Sequence, residues 1–203
     1  MKQVLCAWFP NWAIQRIRHT KPQLEQRPVV LYRDSGQRGA RVVARSAEAA
    51  LQDIAIGMSV AEAQSLIIAE LDRSARQTRS TRANDSSNIE IQTHFEEHDI
   101  DADNAALKTL AYSCQQFSPI YGVEEADGPE SLLIDVTGCE HLFGDVNGLA
   151  ADVYHYFDQQ GYRTRIAIAS TIGVAWAVSH FSGLGSPRSV FVVPSSEHER
   201  LLR

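Results

Sequence analysis

Gln3-Val4-Leu5-Cys6-Ala7-Trp8-Phe9-Pro10-Asn11-Trp12 opens the chain with an apolar run that reads as a buried strand. The aromatic and proline residues after it end that strand abruptly. From Lys2 to Trp12 there is no Asp or Glu. Any acidic site built at the end of this strand therefore takes none of its carboxylates from the strand itself. Trp12 to His19 then reads as a helical turn or two, with Trp12, Ile14 and Ile17 available for packing.

Moving outward, Pro22 and Pro28 break the chain before a second strand, Val29-Val30-Leu31-Tyr32. Asp34 to Gly39 has turn composition, and Ala40-Arg41-Val42-Val43-Ala44 resumes extended structure, which predicts a hairpin. Ser46 is a candidate N-cap for a short helix, and Ser59 with Glu62 forms a capping box ahead of a helix from Val60 to Ile68. Between Asp72 and Asp103 the spaced Arg73, Arg76, Arg79 and Arg82 give way to Glu90, Glu96, Glu97, Asp99, Asp101 and Asp103. Polar composition and a reversal of charge predict a loop or partly disordered insertion there. Helical spacing of Leu107, Leu110, Ala111 and Cys114 predicts a helix from Asn104 to Gln116, closed by Pro119. Strands at Tyr121 to Glu125 and Ser131 to Val136, a helix from Leu149 to Gln160, a strand from Arg163 to Ala169, a helix from Gly173 to His180 and an extended Phe191-Val192-Val193-Pro194 complete the order. The succession suits a mixed sheet backed by helices on one face, an α+β arrangement.

Bulk properties limit the functions open to such a chain. Its 203 residues, 44% hydrophobic and 22% charged, suffice for one compact domain or a domain with a small lobe. Apolar runs fall well short of the roughly 18 residues that suggest a membrane span, and the N-terminus lacks the pattern of a signal peptide, so a cytoplasmic location is expected. Cys6, Cys114 and Cys139 are odd in number and widely spaced, which speaks for reduced thiols rather than a disulfide framework or zinc site. A net charge of −6 weighs against coating DNA by counterion release alone.

Four local patterns compete for a chemical role. His94-Phe95-Glu96-Glu97-His98 matches the His-x-x-Glu-His zinc-protease pattern, but its charged, alternating flanks are not those of a long amphipathic helix. Gly183-Leu184-Gly185 lacks the third glycine of a dinucleotide fingerprint. Cys139-Glu140-His141 places thiol and imidazole close in sequence without an orienting third group. Glu124, Glu125, Asp127, Glu130 and Asp135 form an acidic set around the hairpin. Two-metal phosphoryl transfer needs such carboxylates converging on cations about 4 Å apart, with an anchoring ligand that the first strand does not supply. A solvated acidic loop is the favoured reading.

The order and spacing of several stretches carry a more specific signal. These are Val4 to Pro10, Pro28-Val29-Val30, Arg41 to Ala44, Ile56-Gly57-Met58-Ser59, Phe117-Ser118-Pro119, Leu133 to Gly144 and Ile166 to Ser170. Through them the chain resembles the Y-family translesion DNA polymerases over their palm and fingers. It is most similar to the ImuB group of catalytically inactive polymerase-like proteins. The resemblance implies a ferredoxin-like palm with a small fingers subdomain. Residues 1–10 would be the first palm strand, 11–71 the fingers, 72–103 a variable insertion, 104–185 the rest of the palm and 186–203 the start of a connection to a thumb.

Position by position, the resemblance implies losses. Trp8 and Pro10 stand where active enzymes place two aspartates, the first of them a metal-binding one. Ala47 and Ala50 stand at the tyrosine and arginine that grip the triphosphate, and Ile172 at a phosphate-binding lysine. For the Ser-x-Asp-Glu turn, an ungapped register gives Gly128, Pro129, Glu130 and Ser131, while a gapped one uses Glu124 and Glu125. No metal, no cofactor and no nucleotidyl transfer are therefore expected. The resemblance implies a scaffold in translesion synthesis, the SOS-type DNA damage response and induced mutagenesis. Such a scaffold bridges an error-prone catalytic DNA polymerase, a RecA-like accessory protein and the sliding clamp. Family members continue beyond the palm, so the chain is expected to be a fragment whose DNA and clamp contacts lie elsewhere. The alternative is an active low-fidelity polymerase with atypical metal ligands.

Overall fold

A computed structural model describes residues 2–34, 36, 39–80, 92–183 and 189–194, the side chains of 74–80 excepted. Arg82, Glu90, Leu184 and Gly185, and most of 186–203, lie outside the described residues. The chain divides into two compact units, Met1–Gln15 with Ile100–Arg203, and Arg16–Asp99.

The first unit is built on the opening strand. β1 (Val4–Trp8) occupies the centre of a five-stranded sheet, flanked by β6 (Ser131–Asp135) and β7 (Arg165–Ala169), with β5 (Tyr121–Val123) and β8 (Val190–Val192) at the edges. Only the β7–β8 pairing is parallel, so the sheet is mixed. Period-two alternation sorts β1 between two cores. Leu5 and Ala7, with Phe9 just beyond the strand, join the larger one with α4 (Ile100–Ser113) and α5 (Val146–Gln159). Cys6 turns to the other face, where Ala167 and Ala169 meet Val174, Ala175 and Val178 of α6 (Ile172–Phe181). Two long helices thus cover one face as the element order suggests, and α6 is added on the other.

The leader of α5 explains part of the Asp135 to Gly144 segment in structural terms. Asp135 Oδ1 accepts from Thr137 N–H at 3.0 Å, and these Thr137 hydrogen bonds hold the Asp135 carboxyl below its ordinary range. Asp145 then caps α5 by accepting from Gly148 N–H at 2.8 Å. A Cβ on Gly148 would lie 2.2 Å from the Phe143 carbonyl oxygen. Gly148→Ala must therefore displace main chain, and thermal unfolding should report a loss of about 1–3 kcal/mol; an unchanged midpoint would contradict this account of the turn.

In the second unit, β2 (Val29–Asp34) pairs antiparallel with β3 (Ala40–Arg45) and parallel with β4 (His94–Glu97). Val30, Val42, Ala49, Ile54 and Ala63 form its core, with Met58, Ile67 and Phe95 against them. Ser46 caps α2 (Ala47–Ala50), and Ser59 accepts from Glu62 N–H at 3.2 Å at the start of α3 (Val60–Ser80).

Two helices extend beyond the sequence reading, and one strand is added to it. α3 runs to Ser80 and not Ile68, because the arginine-bearing stretch contains no Gly or Pro and Glu70 pairs with Arg73 at 2.8 Å. α4 begins at Ile100, where Asp101 and Asp103 suit the positive end of the helix dipole. The His94 to His98 segment, expected within a loop or insertion, is mostly strand, so the i, i+4 helical geometry of a zinc protease is not formed. There His94 Nε2 and Lys21 Nζ both engage Glu96 Oε2. The cysteines are free, and burial pushes the Cys6 thiol up to about 11 and that of Cys114 to about 12. Among the described residues no helix is long and apolar enough to cross a membrane.

Candidate functional site

Sheet register carries Trp8, Glu130 and Ser131 to one place. Trp8 is the cross-strand partner of Ser131 on one side and of Arg165 on the other. Phe9 N–H donates to the Glu130 carbonyl at 2.8 Å, continuing the ladder one residue past β1. Asn11 then takes a left-handed conformation, with φ of 58°, and turns the chain into α1 (Trp12–Thr20). Pro10 lies in this turn, its carbonyl accepting from Gln15 Nε2 at 2.9 Å.

The carboxylates at this place are held by protein N–H groups. Glu130 Oε2 accepts from the Trp8 indole at 3.1 Å, and its Oε1 from Trp12 N–H at 3.1 Å. Glu124 Oε1 accepts from Glu130 N–H at 2.7 Å, and its Oε2 from the Trp176 indole at 2.8 Å. Each of the four carboxylate oxygens thus has a donor from the chain itself. One carboxylate from each register of the acidic turn, Glu124 and Glu130, therefore joins a single cluster. Glu125 and Asp127 are exposed in the connecting turn, and Asp135 sits at the far end of β6, opposite Val4. That is about 13 Å from Ser131 at the rise of an extended strand.

An aromatic stack fills the space beside these carboxylates. His180 lies between two indoles, 4.4 Å from Trp8 at an interplanar angle of 24° and 4.0 Å from Trp176 at 25°. The Arg165 guanidinium lies 5.8 Å from the Trp8 ring centroid and 5.4 Å from that of Phe191, within cation–π range. Ser179, buried next to His180, donates to Cys6 Sγ at 3.3 Å. Ser131 is fully buried at this place, close enough to Cys6 to bear on its thiol.

Burial holds the His180 ring below its ordinary pKa, with Arg165 acting in the same sense. The Trp176 carbonyl, Glu124 and Glu130 pull the other way without overcoming burial. The unfolded chain takes up this proton near pH 6.5, before the folded one does. The stability contributed by neutral His180 is thus fully present above about 6.5 and is lost as pH falls from there through the lowered folded value. A ring titration followed by NMR should give a midpoint below about 6.5; one above it would contradict a desolvated, stacked imidazole.

A pair of catalytic cations requires carboxylate oxygens that converge on open space, anchored from the neighbouring strand. Here the neighbouring strand ends in the Trp8 indole, which donates, and the carboxylates are turned to N–H groups. The donor set does not fit a two-metal centre.

The remaining positions singled out in the sequence lie in α6 and α2. Ile172 opens α6 and is 50% exposed. Ala47, exposed, and Ala50, half-buried, lie in α2 of the other unit, and neither side chain can bind phosphate. Trp176, His180 and Arg165 were not anticipated as partners of the acidic turn. The local signal for the first two is their i, i+4 spacing on a helix with no charged Asp, Glu, Lys or Arg.

Comparison with known proteins places this geometry in a family. Residues 7–180 match the model of the impB/mucB/samB family. Over 85 residues the chain is 39% identical to Protein ImuB of Caulobacter vibrioides strain NA1000 / CB15N, and equally to that of strain ATCC 19089 / CIP 103742 / CB 15. Each match covers 42% of this chain and 18% of the relative. Among solved structures, an insertion ternary complex of Dbh DNA polymerase superposes with a TM-score of 0.70 at 14% identity, covering 98% of this chain and 51% of that one. DinB from Sulfolobus solfataricus does so with 0.66 at 16% identity, covering 98% and 50%. The chain thus spans about half the length of these polymerases, and its matched stretch covers under a fifth of the curated relatives. With its Y-family polymerase fold and its match from Ala7 to His180, this chain belongs to the impB/mucB/samB family.

Proposed function

We propose that this chain is the palm and fingers of a non-catalytic, polymerase-like scaffold acting in damage-induced translesion synthesis and mutagenesis. Support comes chiefly from one observation: Glu124 and Glu130 use all four oxygens to accept N–H groups, two of them from indoles. Ala47, Ala50 and Ile172 extend the loss to triphosphate binding, since none offers a donor or a positive charge. The partners follow from the ImuB-like resemblance: an error-prone catalytic DNA polymerase, a RecA-like accessory protein and the sliding clamp.

Full-length protein given primed template, deoxynucleoside triphosphates and Mg²⁺ or Mn²⁺ should extend no primer above background. Its capture from damage-induced cells should recover a catalytic polymerase. Extension would establish instead an active low-fidelity polymerase with atypical ligands, and failure to recover replication or repair proteins would remove the scaffold role.

A further inference from the structure

α6 carries no Asp, Glu, Lys or Arg, and only one side of it is buried. Val174, Ala175 and Val178 face the sheet, while Ile172, Trp176 and Phe181 are 50%, 36% and 62% exposed. Trp176 and Phe181 rings meet edge to face at 5.8 Å, and Ile172 precedes Trp176 by one turn, so the three side chains line one exposed strip. A surface helix of a self-contained fold carries charge on its outer side, whereas an uncharged outer side with large exposed apolar groups marks a surface that is covered.

The rim of the strip is acidic. Trp176 is hydrogen-bonded to Glu124, and Glu125 and Asp127 follow exposed in the same turn. Between Lys108 and Arg163 the sequence contains no lysine or arginine. Arg165, close to the stack, donates to the main-chain carbonyls of His180 and Ser182. A phosphate backbone meets repulsion here, whereas a cationic peptide meets attraction.

We infer that the Ile172–Trp176–Phe181 strip is a docking surface for an amphipathic helical segment of a partner protein. Its apolar side chains seat on the strip, and its lysines or arginines face Glu124, Glu125 and Asp127. This deepens the scaffold reading by assigning a contact surface to the altered polymerase site. That reading is tested separately by primer extension and would survive failure at this surface.

The test uses the full chain with three labelled probes: a helical peptide with leucines at i, i+3, i+4 and i+7 and lysine flanks, its glutamate-flanked twin, and an oligothymidylate. Anisotropy should show the lysine peptide bound at least about tenfold more tightly than its twin. Its binding should shift the Trp176 indole resonance. Phe181→Ser and Trp176→Ala should each weaken it by about tenfold or more. The double reversal E125K/D127K, which leaves the packed core untouched, should invert the preference between the two peptides. Equal binding of the twins, an unshifted Trp176 resonance, an unchanged preference in the reversal variant, or oligothymidylate binding at Trp176 would overturn the inference.

Discussion

Trp12→Ala is expected to cost about 3–5 kcal/mol and to lower the unfolding midpoint by roughly 6–20 °C. Trp12 is 2% exposed and is the largest of the buried side chains, with Phe9 edge-on at 5.6 Å and Tyr162 at 5.7 Å. Phe9 in turn meets Phe157 at 5.0 Å, so the vacated volume opens into an aromatic cluster that cannot collapse without losing those contacts. The indole N–H also donates to the Asp103 carbonyl at 3.0 Å, tying the chain after β1 to α4. Trp12→Phe separates the two contributions. It retains most of the packing and gives up the hydrogen bond, so its cost should be about 1–2 kcal/mol. Equal losses in both variants, measured by denaturant unfolding, would mean that the polar contact and not the ring holds this junction.

Glu130→Ala is the second large effect, expected at about 2–4 kcal/mol. In an active polymerase site, acidic ligands repel one another and their removal tends to relieve the fold. Here the carboxylate accepts from the Trp8 indole and from the main-chain N–H of Trp12, and its own N–H donates to Glu124. Alanine leaves two donors without their acceptor in a half-buried place. Glu130→Gln keeps one acceptor oxygen and should cost about half as much. A stabilised Glu130→Ala would be the behaviour of a strained metal site and would contradict the structural role assigned to this residue.

Much of the sheet was legible because β1, β6 and β7 carry uninterrupted apolar runs whose alternation decides which face each residue meets. Caps were legible for the same local reason: Ser46 and Ser59 each accept from the N–H three residues on. What escaped is long-range. β4 has four residues, mostly charged or polar, and exists because β2 offers it a parallel edge more than sixty positions earlier. The full length of α3 was hidden by arginines that look like a linker and are also good helix formers. At the site, sequence reasoning found Trp8, Glu130 and the ambiguity with Glu124. It did not find that an indole 122 residues from Glu130 and another 52 residues from Glu124 would occupy those carboxylates. Nothing in the local pattern of α6 shows which way Trp176 and His180 turn; only the packing of Val174 and Val178 against the sheet fixes that.

On the proposed function, Glu124 and Glu130 serve the fold and hold no catalytic cations. Titrating the chain with Mn²⁺ while following the indole N–H resonances of Trp8 and Trp176 tests it most directly, because both groups sit within hydrogen-bond distance of those oxygens. The account predicts no selective, saturable broadening of either resonance into the millimolar range, and no effect of added Mg²⁺. Saturable broadening confined to these two indoles, and reversed by Mg²⁺, would contradict it.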